Sequence, residues 1–107
     1  MEQKYYSKMT HRVLIDEQAL GWGKKNLEKV SQDYEEILKV GTIPAPKQGS
    51  SDIEIGNFCE GENCNLLTSD YKAYVHLLDI TRIKTVQVSK YAWDEEAKRH
   101  IYLIKII

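Results

Sequence analysis

Three aspartates stand where extended, apolar runs of this chain give way to helix starts: Asp16 after RVLI, Asp52 in SSDIEI, and Asp70 after NLLTS. A chain that repeats such switches is expected to alternate strands with helices. Acids at those switches can then converge on the crevice outside the carboxyl ends of parallel strands. Three converging carboxylates make a hard-cation site, because Mg²⁺ and Mn²⁺ take oxygen ligands and bridge carboxylates to phosphate. Phosphodiester cleavage is the chemistry such a site most naturally supports.

The periodicity of apolar residues places the elements. Val13-Leu14-Ile15 is short and β-branched enough for a buried strand, and the thinner spacing of Leu27 and Val30 among lysines and glutamates predicts a surface helix from Gly23 to Gln32. Tyr34 to Val40 reads as a second strand, with a continued helix as the alternative. Pro44, Pro46 and Gly49 make Thr42 to Ser51 a loop, expected to border the acidic crevice. Ser51 and Glu54 then form the S-x-x-E pattern of a capping box, predicting a helix from Asp52 that buries Ile53, Ile55 and Phe58 and stops at Gly61. Cys64 to Thr68 is a third strand. A short helix from Asp70 carrying Tyr74, Val75, Leu77 and Leu78, a fourth strand through Ile83, Val86 and Val88, and a strand or C-terminal helix over 99–107 complete the order. Alternation of this kind predicts a parallel sheet covered on both faces with right-handed crossovers.

A length of 107 residues suits one domain with a single core, spanning 1–107. The mean hydropathy of −0.49 and mixed charges fit a globular chain rather than a disordered one. MEQKYYSKMTHRVLI lacks the apolar stretch of a signal peptide, so a cytoplasmic location is expected, without a membrane partner. A net charge of −1 argues against tight, sequence-independent nucleic-acid binding. A nuclease is still compatible with it, since bound metal adds positive charge where phosphate sits, and residues 81–107 are mildly basic.

Taken singly, each aspartate has a simpler role as a helix cap, and Glu54 is explained by the capping box alone. Cys59 and Cys64 lack the further ligands of a zinc site and are expected as buried free thiols. A disulfide is the alternative, admitted by an Ile, Lys, Glu and Tyr bias that suggests a thermophilic source. His11, His76 and His100 share no spacing with one another or with the acids. Aromatic side chains are more often core than binding surface, but Trp22 and Tyr71 adjoin the proposed acids and are candidate substrate contacts. IYLIKII at the C-terminus invites burial in a homodimer.

Together, LIDE at 14–17, SSDIEI at 50–55 and LLTSDYKAY at 66–74 resemble, in order and spacing, the three signature blocks of the small PIN-like proteins, compact relatives of the PIN-domain ribonucleases. The resemblance covers residues 12 to about 76. It implies a three-layer α/β/α sandwich with a central, mainly parallel sheet, and a Mg²⁺- or Mn²⁺-dependent endoribonuclease acting on RNA. Asp16, Asp52 and Asp70 fall on the family's metal-binding, catalytic acids, with Glu17 and Glu54 as flanking ligands. The toxin of a toxin–antitoxin pair, with an antitoxin as partner, and an RNA-processing nuclease are the roles the family suggests. Where its third block carries a second Asp and then Phe, this chain has Lys72 and Ala73. A lysine there weakens a metal site by repulsion or reaches a substrate phosphate. It also admits a catalytically inactive PIN-like scaffold that binds RNA or a protein. A phospho-acceptor domain shares acids at strand ends but leaves SSDIEI unexplained.

Overall fold

The computed structural model describes residues 12–70, 72 and 86–106. Five strands form one mixed sheet. They are β1 (Arg12–Ile15), β2 (Glu36–Lys39), β3 (Cys64–Thr68), β4 (Val86–Asp94) and β5 (Arg99–Ile106), and their spatial order is β2-β1-β3-β5-β4. Among the described residues three helices are bounded, α1 (Leu20–Lys25), α2 (Leu27–Asp33) and α3 (Asp52–Glu62), with a 3-10 turn over Glu17–Ala19.

Side-chain alternation divides the core between the two faces of the sheet. Leu14, Leu38, Cys64, Leu66 and Ile104 pack with Ile55 and Cys59 of α3. Val13, Ile15, Leu67 and Leu103 pack with Ala19, Trp22 of α1 and Val30 of α2. Every residue of β3 is buried, as expected of an inner strand covered on both faces.

The expected helix over Gly23–Gln32 is two helices, broken at Asn26 with φ −120° and ψ 28°. Asn26 Nδ2 donates to Trp22 O at 2.8 Å, so its side chain competes with the helical backbone and ends the first turn run. The first helix starts at Leu20, ahead of the expected Gly23, and Gly23 lets its backbone close on Ile15. Helix α3 matches its capping signals at the N-terminus: Glu54 N–H donates to Ser51 Oγ and Ser51 N–H donates to Glu54 Oε1. It ends one residue past Gly61, on Asn63 in the left-handed conformation at φ 57°. Ile53, expected inside, is 42% exposed, since Ile55 and Cys59 face the sheet.

The expectation of a parallel sheet holds for half of it. Strand β1 is parallel to β2 and β3, whereas β5 is antiparallel to β3 and to β4. Residues 95–98 join β4 to β5, and a turn that short connects only antiparallel neighbours. Asp94 Oδ1 accepts from the N–H groups of Glu96 and Ala97, and Lys98 takes φ 55°. Strand β5 therefore lies between β3 and β4, with Ile101, Leu103 and Ile104 buried within one chain. Tyr74, Val75, Leu77 and Leu78 of the helix expected from Asp70, and Ile83 of the expected fourth strand, lie outside the described residues. Both cysteines are free and buried.

Candidate functional site

Because β1 and β3 run parallel, residues 16 and 68–70 emerge at one edge of the sheet. The backbone N–H of Asp16 donates to Leu67 O at 2.9 Å, which extends the pairing past the end of β1. Asp16 is 1% exposed. Its Oδ1 accepts from Glu17 N–H at 2.8 Å and its Oδ2 from the Thr68 hydroxyl at 2.8 Å. Thr68 Oγ1 in turn accepts from Asp70 N–H at 3.0 Å, so one hydroxyl couples the buried carboxylate to the backbone of the exposed third aspartate.

Asp52 stands at the N-terminus of α3. Asn63 turns the chain directly from α3 into β3, so α3 runs back along the sheet and its N-terminus returns to the carboxyl end of β3. The preceding loop is held there by Gly49 N–H, which donates to Glu17 Oε1 at 2.9 Å, and by Ala45, which is buried in the core beneath it. The loop thus borders the acidic edge and is anchored at both places. Glu17 serves as its clamp. Glu54 serves as the capping partner of Ser51, whose backbone N–H holds the Glu54 carboxyl below its ordinary pKa.

Thr68 links the Asp16 carboxylate to the backbone N–H of Asp70, and Asp52 opens α3 three residues after the Gly49 that is tied to Glu17. Among the described residues, no three acids, histidines or cysteines form a group that would hold a metal ion by themselves. Trp22 belongs to the core: it is 6% exposed and meets Tyr91 edge-on at 6.0 Å, and so offers no exposed ring for stacking. Tyr71 lies outside the described residues. Lys72 is exposed and lines a cavity of about 310 Å³ that opens beside Asp70.

The rest of that cavity consists of residues whose role their sequence context does not reveal: Ser69, Trp93, Lys98, Arg99, His100 and Tyr102. Trp93 pairs with His100 across β4 and β5, and their rings meet at 4.9 Å, nearly perpendicular. The Lys98-Arg99-His100 run shortly after Trp93 is the available signal, but it acquires meaning only once the hairpin register is known. Ser69 Oγ, buried at the same wall, has no hydrogen-bond partner among the described residues. No helix among the described residues is long and apolar enough to cross a membrane. Comparison of the chain with protein-family models, with curated proteins and with solved structures found no match.

Proposed function

We propose that this chain is a Mg²⁺- or Mn²⁺-dependent ribonuclease of the PIN-like type, hydrolysing phosphodiester bonds of RNA at the edge formed by Asp16, Asp52 and Asp70. The observation that carries the reading is Asp16 itself. Burying a carboxylate is costly unless it is held by donors, and capping a three-residue turn does not require burial. Here the carboxylate is fixed between Glu17 N–H and the Thr68 hydroxyl, which itself accepts from the Asp70 N–H. The placement of α1 and α2 against one face of the sheet and α3 against the other supports the three-layer PIN-like arrangement within the same reading.

The donors at this edge are carboxylate oxygens, which suit Mg²⁺ or Mn²⁺. Mg²⁺ is commonly held by one or two carboxylates, completed by water and substrate phosphate, so it does not need a closed cage of side chains. Asp16 and Asp70 would hold the ion, with Asp52 at the periphery; when bound, it supplies an acidified water and offsets charge on the leaving oxygen. Thr68 positions Asp16, and Lys72 supplies a positive charge for a phosphate of the strand. The cytoplasmic roles of toxin, with a protein antitoxin, or of RNA-processing enzyme follow from the same reading.

A non-catalytic PIN-like scaffold that binds RNA or a protein is favoured by Lys72 and by the lack of a three-ligand group among the described residues. Cleavage of a fluorescent single-stranded RNA separates the two. The nuclease reading expects Mn²⁺-dependent products, blocked by EDTA and reduced about 10²–10³-fold in Asp16→Asn, the usual scale for losing one transition-state-stabilising group. RNA binding without cleavage would establish the scaffold instead.

A further inference from the structure

The cavity on the β4–β5 hairpin brings together an exposed indole, three cationic side chains and one aspartate of the acidic edge. Trp93 is 45% exposed, Lys72, Lys98 and Arg99 supply positive charge, and Asp70 is the carboxylate on the wall. We infer that this cavity is a binding subsite for single-stranded RNA, in which a base stacks on Trp93 while neighbouring phosphates meet Lys72, Lys98 and Arg99. The subsite rests on the ribonuclease reading only for the fate of the strand, which passes Asp70 on its way to the acidic edge.

Several features favour a stacked base over other anionic ligands. The Trp93 ring is braced edge-on by His100, which is itself tilted against Tyr102 at 5.9 Å, so the indole is oriented before the ligand arrives. Pre-orientation lowers the ordering cost of binding. Arg99 donates one N–H to Gln18 O at 3.1 Å, which fixes the guanidinium while its planar fork has further donors for phosphate. Lys98 pairs with Glu95 at 3.0 Å in an exposed setting, where such a pair is worth little and exchanges readily for phosphate. The buried hydroxyl of Ser69, without a hydrogen-bond partner among the described residues, adds a polar group on the same wall. A duplex keeps its bases stacked inside and offers no ring to Trp93, so selection for single strands follows. An acidic peptide would use the cations and ignore the indole.

The test is binding of a fluorescein-labelled oligouridine to the full chain in EDTA, which separates binding from cleavage. The single strand is expected to bind more tightly than a duplex of equal length and to quench tryptophan emission through Trp93, Trp22 being buried. Trp93→Ala should weaken binding by about 5- to 100-fold, the range for one stacked base, and Trp93→Phe should recover part of the loss. Lys72→Glu, at an exposed position, should lower the slope of log affinity against log salt by about 0.7, the contribution of one neutralised phosphate in a single strand. Equal affinity for duplex, an unchanged affinity in both Trp93→Ala and Lys72→Glu, or displacement by polyglutamate with no effect of Trp93→Ala would each overturn the subsite. Loss of binding in these variants without any Mn²⁺-dependent cleavage by the wild type would leave the subsite standing and remove the nuclease. Asp16-dependent cleavage with wild-type binding in both variants would do the reverse.

Discussion

Thr68 and Asp16, 52 residues apart in sequence, share a hydrogen bond of 2.8 Å in which the threonine hydroxyl donates to a carboxylate oxygen buried at the end of β1. Both side chains are shielded from solvent, so no water takes over when the hydroxyl is removed without repacking. Thr68→Val keeps the shape of the side chain and deletes the donor. It is expected to cost about 1.5–3 kcal/mol, the range for hydrogen bonds to charged groups, read as a lower urea midpoint at neutral pH with an unchanged m-value. A cost under roughly 0.5 kcal/mol would mean that Asp16 is not held by Thr68 in solution.

How far such features are visible beforehand depends on the distance over which their causes act. The capping box of Ser51 and Glu54 was legible because both partners lie within one turn. The strands through Val13, Leu38 and Leu66 were legible because burial imposes a local pattern of apolar residues. The Thr68–Asp16 bond and the Trp93–His100 pair depend on strand register, which no short window contains. The antiparallel hairpin escaped notice because its turn, Glu95-Glu96-Ala97-Lys98, has none of the glycine or Asn-Gly signals that mark tight hairpins; Lys98 adopts the positive φ instead. Asn26 broke the helix through a side-chain bond to Trp22 O, a competition that apolar spacing does not record. Of the candidate site, the acids at the strand ends were legible, whereas the hydroxyl that links them and the basic aromatic wall beside them were not.

Two glycines in α1 should respond to alanine with opposite signs. At Gly23 an added Cβ would sit 2.7 Å from Ile15 Cδ1 and 3.2 Å from its Cγ2, and Ile15 is fully buried. Overpacking of about 1–3 kcal/mol outweighs the gain of up to about 1 kcal/mol in helix propensity, so Gly23→Ala is expected to lower Tm. At Gly21 an added Cβ would meet no other side chain or strand among the described residues within 4 Å. Gly21→Ala should therefore raise stability by about 0.5–1 kcal/mol. Thermal melts of the two variants check the close approach of α1 to β1, and a stabilised Gly23→Ala would show that the helix stands further off.

Alkaline pH should weaken the fold. Burial pushes the Cys59 thiol well above its ordinary pKa, and burial also raises Tyr34, Cys64 and Tyr91, with Asp33 adding to the shift of Tyr91 by accepting a hydrogen bond from its hydroxyl. These groups stay protonated in the folded chain where the unfolded chain has ionised, so the unfolded state binds fewer protons and stability falls as pH rises. The contribution is intact below about pH 8.5, the ordinary thiol value, and Cys59 alone gives a slope near 1.4 kcal/mol per pH unit above it. Urea midpoints at pH 7, 9 and 10 should fall progressively, and Cys59→Ala should show a shallower decline. A midpoint unchanged up to pH 10 would show that these groups titrate normally.

Lys72 should act on metal and RNA in opposite directions. It is exposed and lines the same cavity as Asp70, so its charge repels a cation at the acidic edge and attracts a phosphate. Lys72→Asp reverses that charge. Mn²⁺ binding by calorimetry should then tighten by about 3- to 10-fold, the scale of a charge reversal several ångströms from a divalent ion in screened solvent. The RNA concentration for half-maximal cleavage should rise in the same variant, because a repulsive charge replaces a phosphate contact. Lys72→Ala should produce smaller shifts of the same signs, which distinguishes a charge effect from a new ligand supplied by the aspartate. Tighter Mn²⁺ binding with unchanged RNA dependence would confine Lys72 to the metal site. Unchanged values for both would place its ammonium away from either partner, and Asp70→Asn becomes the deciding variant: intact Mn²⁺-dependent cleavage without that carboxylate would refute the acidic edge as the catalytic centre.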